Sequence, residues 1–283
     1  MNRLLTLRVR TAGCAADASL NDLPLVRVGG TGGATALPVH EFLLRGLNRL
    51  MLRVDPASID AGADVPPSAE LVLHLARAPV DLDRSSILDT SGQRDLLLAR
   101  TGWGAGFADA GGAPTEPTTS SGEGEGAGAW HRGVDVDLPV DLPRWRWLDA
   151  PAVPVGSMEA MRARALQCVQ QRVLEFRRGD GAGWLGLTRL AREERAVAYG
   201  GNVRAREQAF LDTLRAAPDG RPWSWSWPES DDFVLRPEAD GRLMSCLRRD
   251  GGPVLEAQSR DGRHAWSLPL RLAWLDERLH GLR

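Results

Sequence analysis

The sequence predicts two domains: an all-β sandwich, followed by an α+β domain in which three helices precede a curved antiparallel sheet. Three observations carry this. The first hundred residues alternate apolar and polar side chains with a period of two. The period changes to that of a helix after residue 157. The last sixty residues carry Asp-Gly pairs at 240–241, 250–251 and 261–262, and Asp-Gly favours the turns that join antiparallel strands. A length of 283 residues suits two domains of ordinary size.

Taken in order, the strand-like runs are RLLTLRVR, LPLVRV, ATALPVHEFLL, NRLMLRV, AELVLHLA and RDLLLAR. Leu50, Leu52 and Val54 oppose Met51 and Arg53, and Leu71, Leu73 and Leu75 oppose Val72 and His74, as on strands with one buried face. Residues 104–129 hold almost no apolar side chain larger than alanine, so they cannot offset the entropy of ordering and read as a flexible loop inside the first domain, 1–150. Clustered prolines at 149–156 mark the boundary, and 156–283 form the second domain.

Within it, Ser157 can cap a helix over 157–177, with Met161, Ala165, Cys168 or Val169, Val173 and Phe176 on one face. A second helix ends at Gly200 and Gly201, and a third carries Val203, Phe210 and Leu214 in phase. Strands are expected over 223–239, 242–249, 253–259 and 263–275.

Composition excludes several chemistries. All 35 basic residues are arginine, which excludes Schiff-base and P-loop mechanisms that need lysine; GC-rich coding explains the bias. A net charge of −2 and a pI near 6.2 give no global field for nucleic acid or an anionic membrane. Cys14, Cys168 and Cys246 are odd in number and far apart, so neither a disulfide framework nor a structural zinc site is expected. His40, His74, His131 and His280 lack carboxylate partners at ligating spacing, so no metal and no cofactor are expected. The alternating N-terminus breaks any signal-peptide core, and no apolar run approaches 18 residues, which points to a cytoplasmic protein without a membrane span.

The chain has ten tryptophans and one tyrosine. In RPWSWSWPESDDF, Trp223, Trp225 and Trp227 share one face of a strand, with Ser224 and Ser226 opposite. His264, Trp266, Leu268, Leu270, Leu272 and Trp274 share a face of the last strand. Such rows are core, an aromatic pocket or an interface, and Trp145 and Trp147 are candidates for an inter-domain contact.

Two stretches resemble known families. LPVHEFLLRGLNRLMLRVDP resembles a segment of galactose-binding-like jelly rolls, which implies a sandwich and not sugar binding. The order of helices and strands over 156–283, ending in SLPLRLAWLDERLHGLR, resembles the nuclear-transport-factor-2-like (SnoaL-like) cone. That resemblance implies a fold able to hold a small ligand, with Asp231, Asp232, His264 and Tyr199 as catalytic candidates for acid–base work, and a homodimer through the open sheet.

With no catalytic signature and a surplus of tryptophan and arginine, the expected function is that of a non-catalytic binding or accessory protein with a protein partner, of bacterial adaptor, immunity or secretion-accessory type. Trp223, Trp225, Trp227, Trp145 and Trp147 are its interaction candidates. The alternative is a small-molecule-binding protein or enzyme using a pocket in the cone.

Overall fold

Alternation of apolar and polar residues builds the first unit. The computed structural model describes residues 3–29, 32–59, 65–77, 96–104, 130–138 and 142–282. The expected flexible loop therefore lies, from residue 105 on, outside the described residues. The chain divides into Met1–Pro143 and Arg144–Arg283, and the described part is mostly β, in four antiparallel sheets with few helices.

Among the described residues the first unit has eight strands: β1 Arg3–Ala12, β2 Ala15–Leu20, β3 Leu23–Val28, β4 Gly32–Pro38, β5 Gly46–Asp55, β6 Ser68–Arg77, β7 Leu96–Gly104 and β8 Trp130–Leu138. They make two sheets, ordered β4-β1-β6-β7 and β3-β2-β5-β8. Leu5, Leu7 and Val9 of β1 and Leu71 and Leu73 of β6 share one core with Ala16, Ala18 and Leu20 of β2 and Leu50, Leu52 and Val54 of β5.

The expected strand through residues 34–44 stops at Pro38 and gives way to a 3-10 turn, His40–Phe42. Proline at its end has no N–H with which to extend the ladder. Strand β2 escaped the sequence reading because AADASL offers alanines where strands usually show branched side chains. Its hairpin to β3 turns at Asn21 and Asp22, both at positive φ (52° and 62°), a conformation these two residue types tolerate.

Asn48 secures this end of the unit. It is 1% exposed. Its Oδ1 accepts from Leu44 N (2.7 Å) and Asn21 Nδ2 (2.9 Å), and its Nδ2 donates to Leu44 O and Gly46 O (both 2.8 Å). Asn21 Nδ2 also reaches Phe42 O, so the amide pair of Asn21 and Asn48 joins the β2–β3 turn to the segment entering β5.

In the second unit the helices are α1 Met158–Phe176, α2 Ala182–Leu187, α3 Arg189–Tyr199 and α4 Val203–Arg215. Helix α1 buries Met161, Ala165, Val169, Val173 and Phe176, but Ser157 makes no capping hydrogen bond. The expected second helix is two, parted at Thr188, whose hydroxyl donates to Trp184 O and accepts from Arg192. Seven short strands follow: β9 Ser224–Trp225, β10 Phe233–Glu238, β11 Leu243–Arg248, β12 Leu255–Gln258, β13 Ala265–Leu268, β14 Leu270–Leu275 and β15 Arg278–Gly281. They form two sheets, β10-β11-β14-β15 and β13-β12-β9.

The expected last strand, 263–275, is thus divided at Pro269, and its halves serve different sheets. A further hairpin, from β14 to β15, turns at Asp276 and Glu277, which adopt φ of 49° and 60° without a glycine to announce them. Glu238 is buried across the first of these sheets, where it accepts from Arg271 Nε of β14 (2.6 Å) and from Ser245 Oγ of β11.

Two stability outcomes follow from these buried polar groups. Asn48→Ala strands the Leu44 backbone groups in the interior and is expected to lower unfolding free energy by about 3 kcal/mol in denaturant melts. Glu238→Ala removes the buried carboxylate that half-buried Arg271 and Ser245 share and is expected to cost about 1–3 kcal/mol in the same assay; a loss well under 1 kcal/mol would show that solvent replaces it.

Candidate functional site

Burial of one face of β1 decides what the other face displays. With Leu5, Leu7 and Val9 turned inward, Arg8 and Arg10 project from the outer face of the sheet. Cross-strand register then sets their neighbours. Arg8 lies opposite Val72 of β6, and Val72 opposite Arg100 of β7. Arg10 lies opposite Glu70 in the next row, and Thr6, His74 and Leu97 make the row on the other side.

These rows enclose a solvent-open cavity of about 260 Å³ lined by Arg8, Arg10, Glu70, Val72, His74, Leu97 and Arg100. Val72 is its floor, flanked by Arg8 and Arg100 on strands two spacings apart, about 10 Å. Among the described residues the lining carries three guanidiniums and one carboxylate. Glu70 accepts from Arg100 Nε at 2.7 Å, while no ion pair among the described residues involves Arg10. A register shift between Leu73 and His74 brings Leu97, half exposed, opposite His74. The arrangement suits an anion, held by planar donors that match a carboxylate.

The residues singled out from the sequence lie elsewhere, in the second unit. Trp223 and Trp225 are buried in its core. Trp223 Nε1 donates to Thr213 O (2.7 Å), and the Trp225 ring lies 4.6 Å from Phe176 and 5.4 Å from Trp266. Because β9 ends at Trp225, the alternation does not continue: Trp227 is 37% exposed and carries the Arg177 guanidinium over its ring at 5.5 Å. Trp145 and Trp147, at a 3-10 turn spanning Arg146–Asp149, are also buried. Trp223 and Trp225 are thus part of the second unit's core, and Trp227 is the exposed member of the row.

The acid–base candidates are not drawn into one constellation by their hydrogen bonds. Asp231 and Asp232 lie in the exposed turn before β10, where Arg249 donates its guanidinium to Asp231 O and its backbone N–H to Asp232 Oδ1. With Glu229 and Ser230 they border a broad depression of about 520 Å³. His264 is exposed in the β12–β13 hairpin and its backbone N–H goes to Ser259 Oγ. Tyr199 ends α3.

Among the histidines, His74 is the one that joins the arginine cavity. His40 is buried and its Nε2 accepts from Leu5 N at 2.7 Å, which fixes it as a neutral acceptor behind β1. His280 is buried on β15, where burial and then Arg278 push its pKa down. His131 is half-buried on β8. Among the described residues no group of three or more His, Cys, Asp or Glu is placed to hold a metal ion, and no helix is long and apolar enough to cross a membrane.

The arginine cavity was missed because its members come from three separate runs of sequence, each an ordinary solvated strand face when read singly. The signal available was an Arg-x-Arg pair on a strand with an unbroken apolar inner face. No family model, no curated protein and no solved structure matches the chain.

Burial lowers the His40 pKa from 6.5 to about 4. The folded chain thus resists a proton that the unfolded chain accepts below its ordinary pKa, so stability is complete above pH 6.5 and is lost as pH falls toward 4, by about 3 kcal/mol. Denaturant melts between pH 7 and pH 4 should show His40→Gln with a flatter profile than the unsubstituted chain; parallel profiles would assign the acid sensitivity to other groups.

Proposed function

We propose that the chain is a non-catalytic binding protein that acts through protein contacts, as an adaptor, immunity or secretion-accessory component of a bacterium does, and that the arginine cavity of its first unit is the contact. Three guanidiniums around an open cavity, against one carboxylate among the described residues that line it, carry the reading. Its size supports a protein partner: about 260 Å³ falls below the roughly 300–1,000 Å³ of pockets that enclose small molecules and accommodates one or two side chains. Acidic side chains of a partner complement it in charge and in the planar geometry of the donors.

The same reading takes the first unit as a jelly-roll-like sandwich and the second as a nuclear-transport-factor-2-like cone. Support for the first is the pair of four-stranded sheets over one core, and for the second the helices packed with short antiparallel strands. It places the protein in the cytoplasm, with self-association through the sheet of the second unit. A small-molecule pocket served by Asp231, Asp232 and His264 draws no support from the hydrogen bonds these residues make.

Fluorescence anisotropy with labelled poly-L-glutamate tests the contact. Arg10 is exposed, so Arg10→Glu should preserve the fold while weakening binding by about tenfold or more, and binding by the unsubstituted chain should weaken with added salt. Equal affinity for the folded variant would remove the cavity from the account.

A further inference from the structure

We infer that the cavity takes an extended segment of its partner in which two acidic residues lie two positions apart, with an apolar residue two positions beyond one of them. The inference rests on the reading of the cavity as a docking site for a partner's acidic side chains, and adds the spacing and conformation of what docks.

Three rows of side chains cross the cavity, each one step of two residues along β1 and β6, while on β7 the register shift makes the step from Arg100 to Leu97 three residues. The first is Arg8, Val72 and Arg100; the second Arg10 and Glu70; the third His74 and Leu97. Successive outward residues on a strand are about 6.8 Å apart. A second extended chain lying over β6 repeats its own side chains at that same interval, so every second residue meets a successive row. A carboxylate over Val72 lies between Arg8 and Arg100, and the next one on the same face reaches Arg10. The opposite neighbour falls over His74 and the half-exposed Leu97, where an apolar side chain gains contact.

Contiguous acids cannot do this, because adjacent residues of an extended chain point to opposite faces. A helix repeats its face every four residues at about 6 Å, close to the required interval, but its width excludes it. The walls of the cavity stand on β1 and β7, about 10 Å apart between backbones, before the arginine and leucine side chains narrow the gap, whereas a helix with its side chains is about 10–12 Å across. Glu70 sits in the Arg10 row with its carboxylate on Arg100 Nε (2.7 Å), so the acid in that row is held from the β1 side, by Arg10.

The test uses two capped peptides of one composition and the full chain. The palindromic Leu-Thr-Glu-Thr-Glu-Thr-Leu presents spaced acids in either direction, and Leu-Glu-Glu-Thr-Thr-Thr-Leu presents contiguous ones. Calorimetric titration should find the spaced peptide about tenfold tighter, with the difference lost in Arg10→Gln and in Arg8→Gln variants whose circular dichroism matches the unsubstituted chain. Equal affinity for the two peptides, still lost in the variants, would overturn the spacing while leaving the acidic docking site in place. Binding of both peptides that neither arginine variant weakens would overturn the docking site as well.

Discussion

Strand β1 buries Leu5, Leu7 and Val9 on one face, and from Arg8 onward its other face is left to the arginines; that constraint orders the first unit. Leu5, Leu7 and Val9 are at most 2% exposed, each contributing about 1.5–3 kcal/mol through burial. A slip of one residue would drive Arg8 and Arg10 into the core and expose the leucines, a cost no rearrangement nearby can offset. Pairing with β4 on one side and β6 on the other adds two ladders to the same register. His40 reinforces it by accepting from the Leu5 backbone. The arginine rows on the outer face are thus positioned by the core behind them, with Glu70 holding Arg100.

In the second unit tryptophan supplies bulk where the strands are too short to build a continuous core. Trp225 lies between Phe176 of α1 and Trp266 of β13, and Trp223 also packs on Trp266. Phe210 of α4 meets both Phe176 and Trp266. The rings therefore join α1, α4 and the three-stranded sheet. Arginine covers the margins of this core: Arg162, Arg164 and Arg177 lie over Phe233, Trp274 and Trp227 at 5.9, 5.1 and 5.5 Å. Guanidinium stacks flat on a ring while its edge stays hydrated, which suits a chain whose every long cation is arginine.

What could be read from the sequence is what periodicity encodes. The inward faces of β5 and β6 and the buried stripe of α1 were legible because each repeats over several residues and buries large side chains. Strand β2 was hidden by its alanines, and the division at Pro269 was hidden because Trp266 and Trp274 are in phase across it, although a proline inside a strand pattern is itself a warning. The tryptophan row suggested an interface because a surplus of large aromatics reads the same in a core and on a surface; only burial separates the two. The arginine cavity depends on which strands are neighbours, and β1, β6 and β7 come together through pairings between distant segments that no local pattern specifies.

The central claim is that recognition belongs to the outer face of β1, β6 and β7 and that Trp223 and Trp225 are core. Amide and indole chemical shifts of the isotope-labelled full chain, followed during titration with poly-L-glutamate, test it most directly. The account predicts that shifts concentrate around Arg8, Arg10, Glu70–His74 and Leu97–Arg100 while the indole signals of Trp223, Trp225 and Trp266 stay in place. Movement of those indoles with silent β1 amides would contradict it and return the binding surface to the second unit.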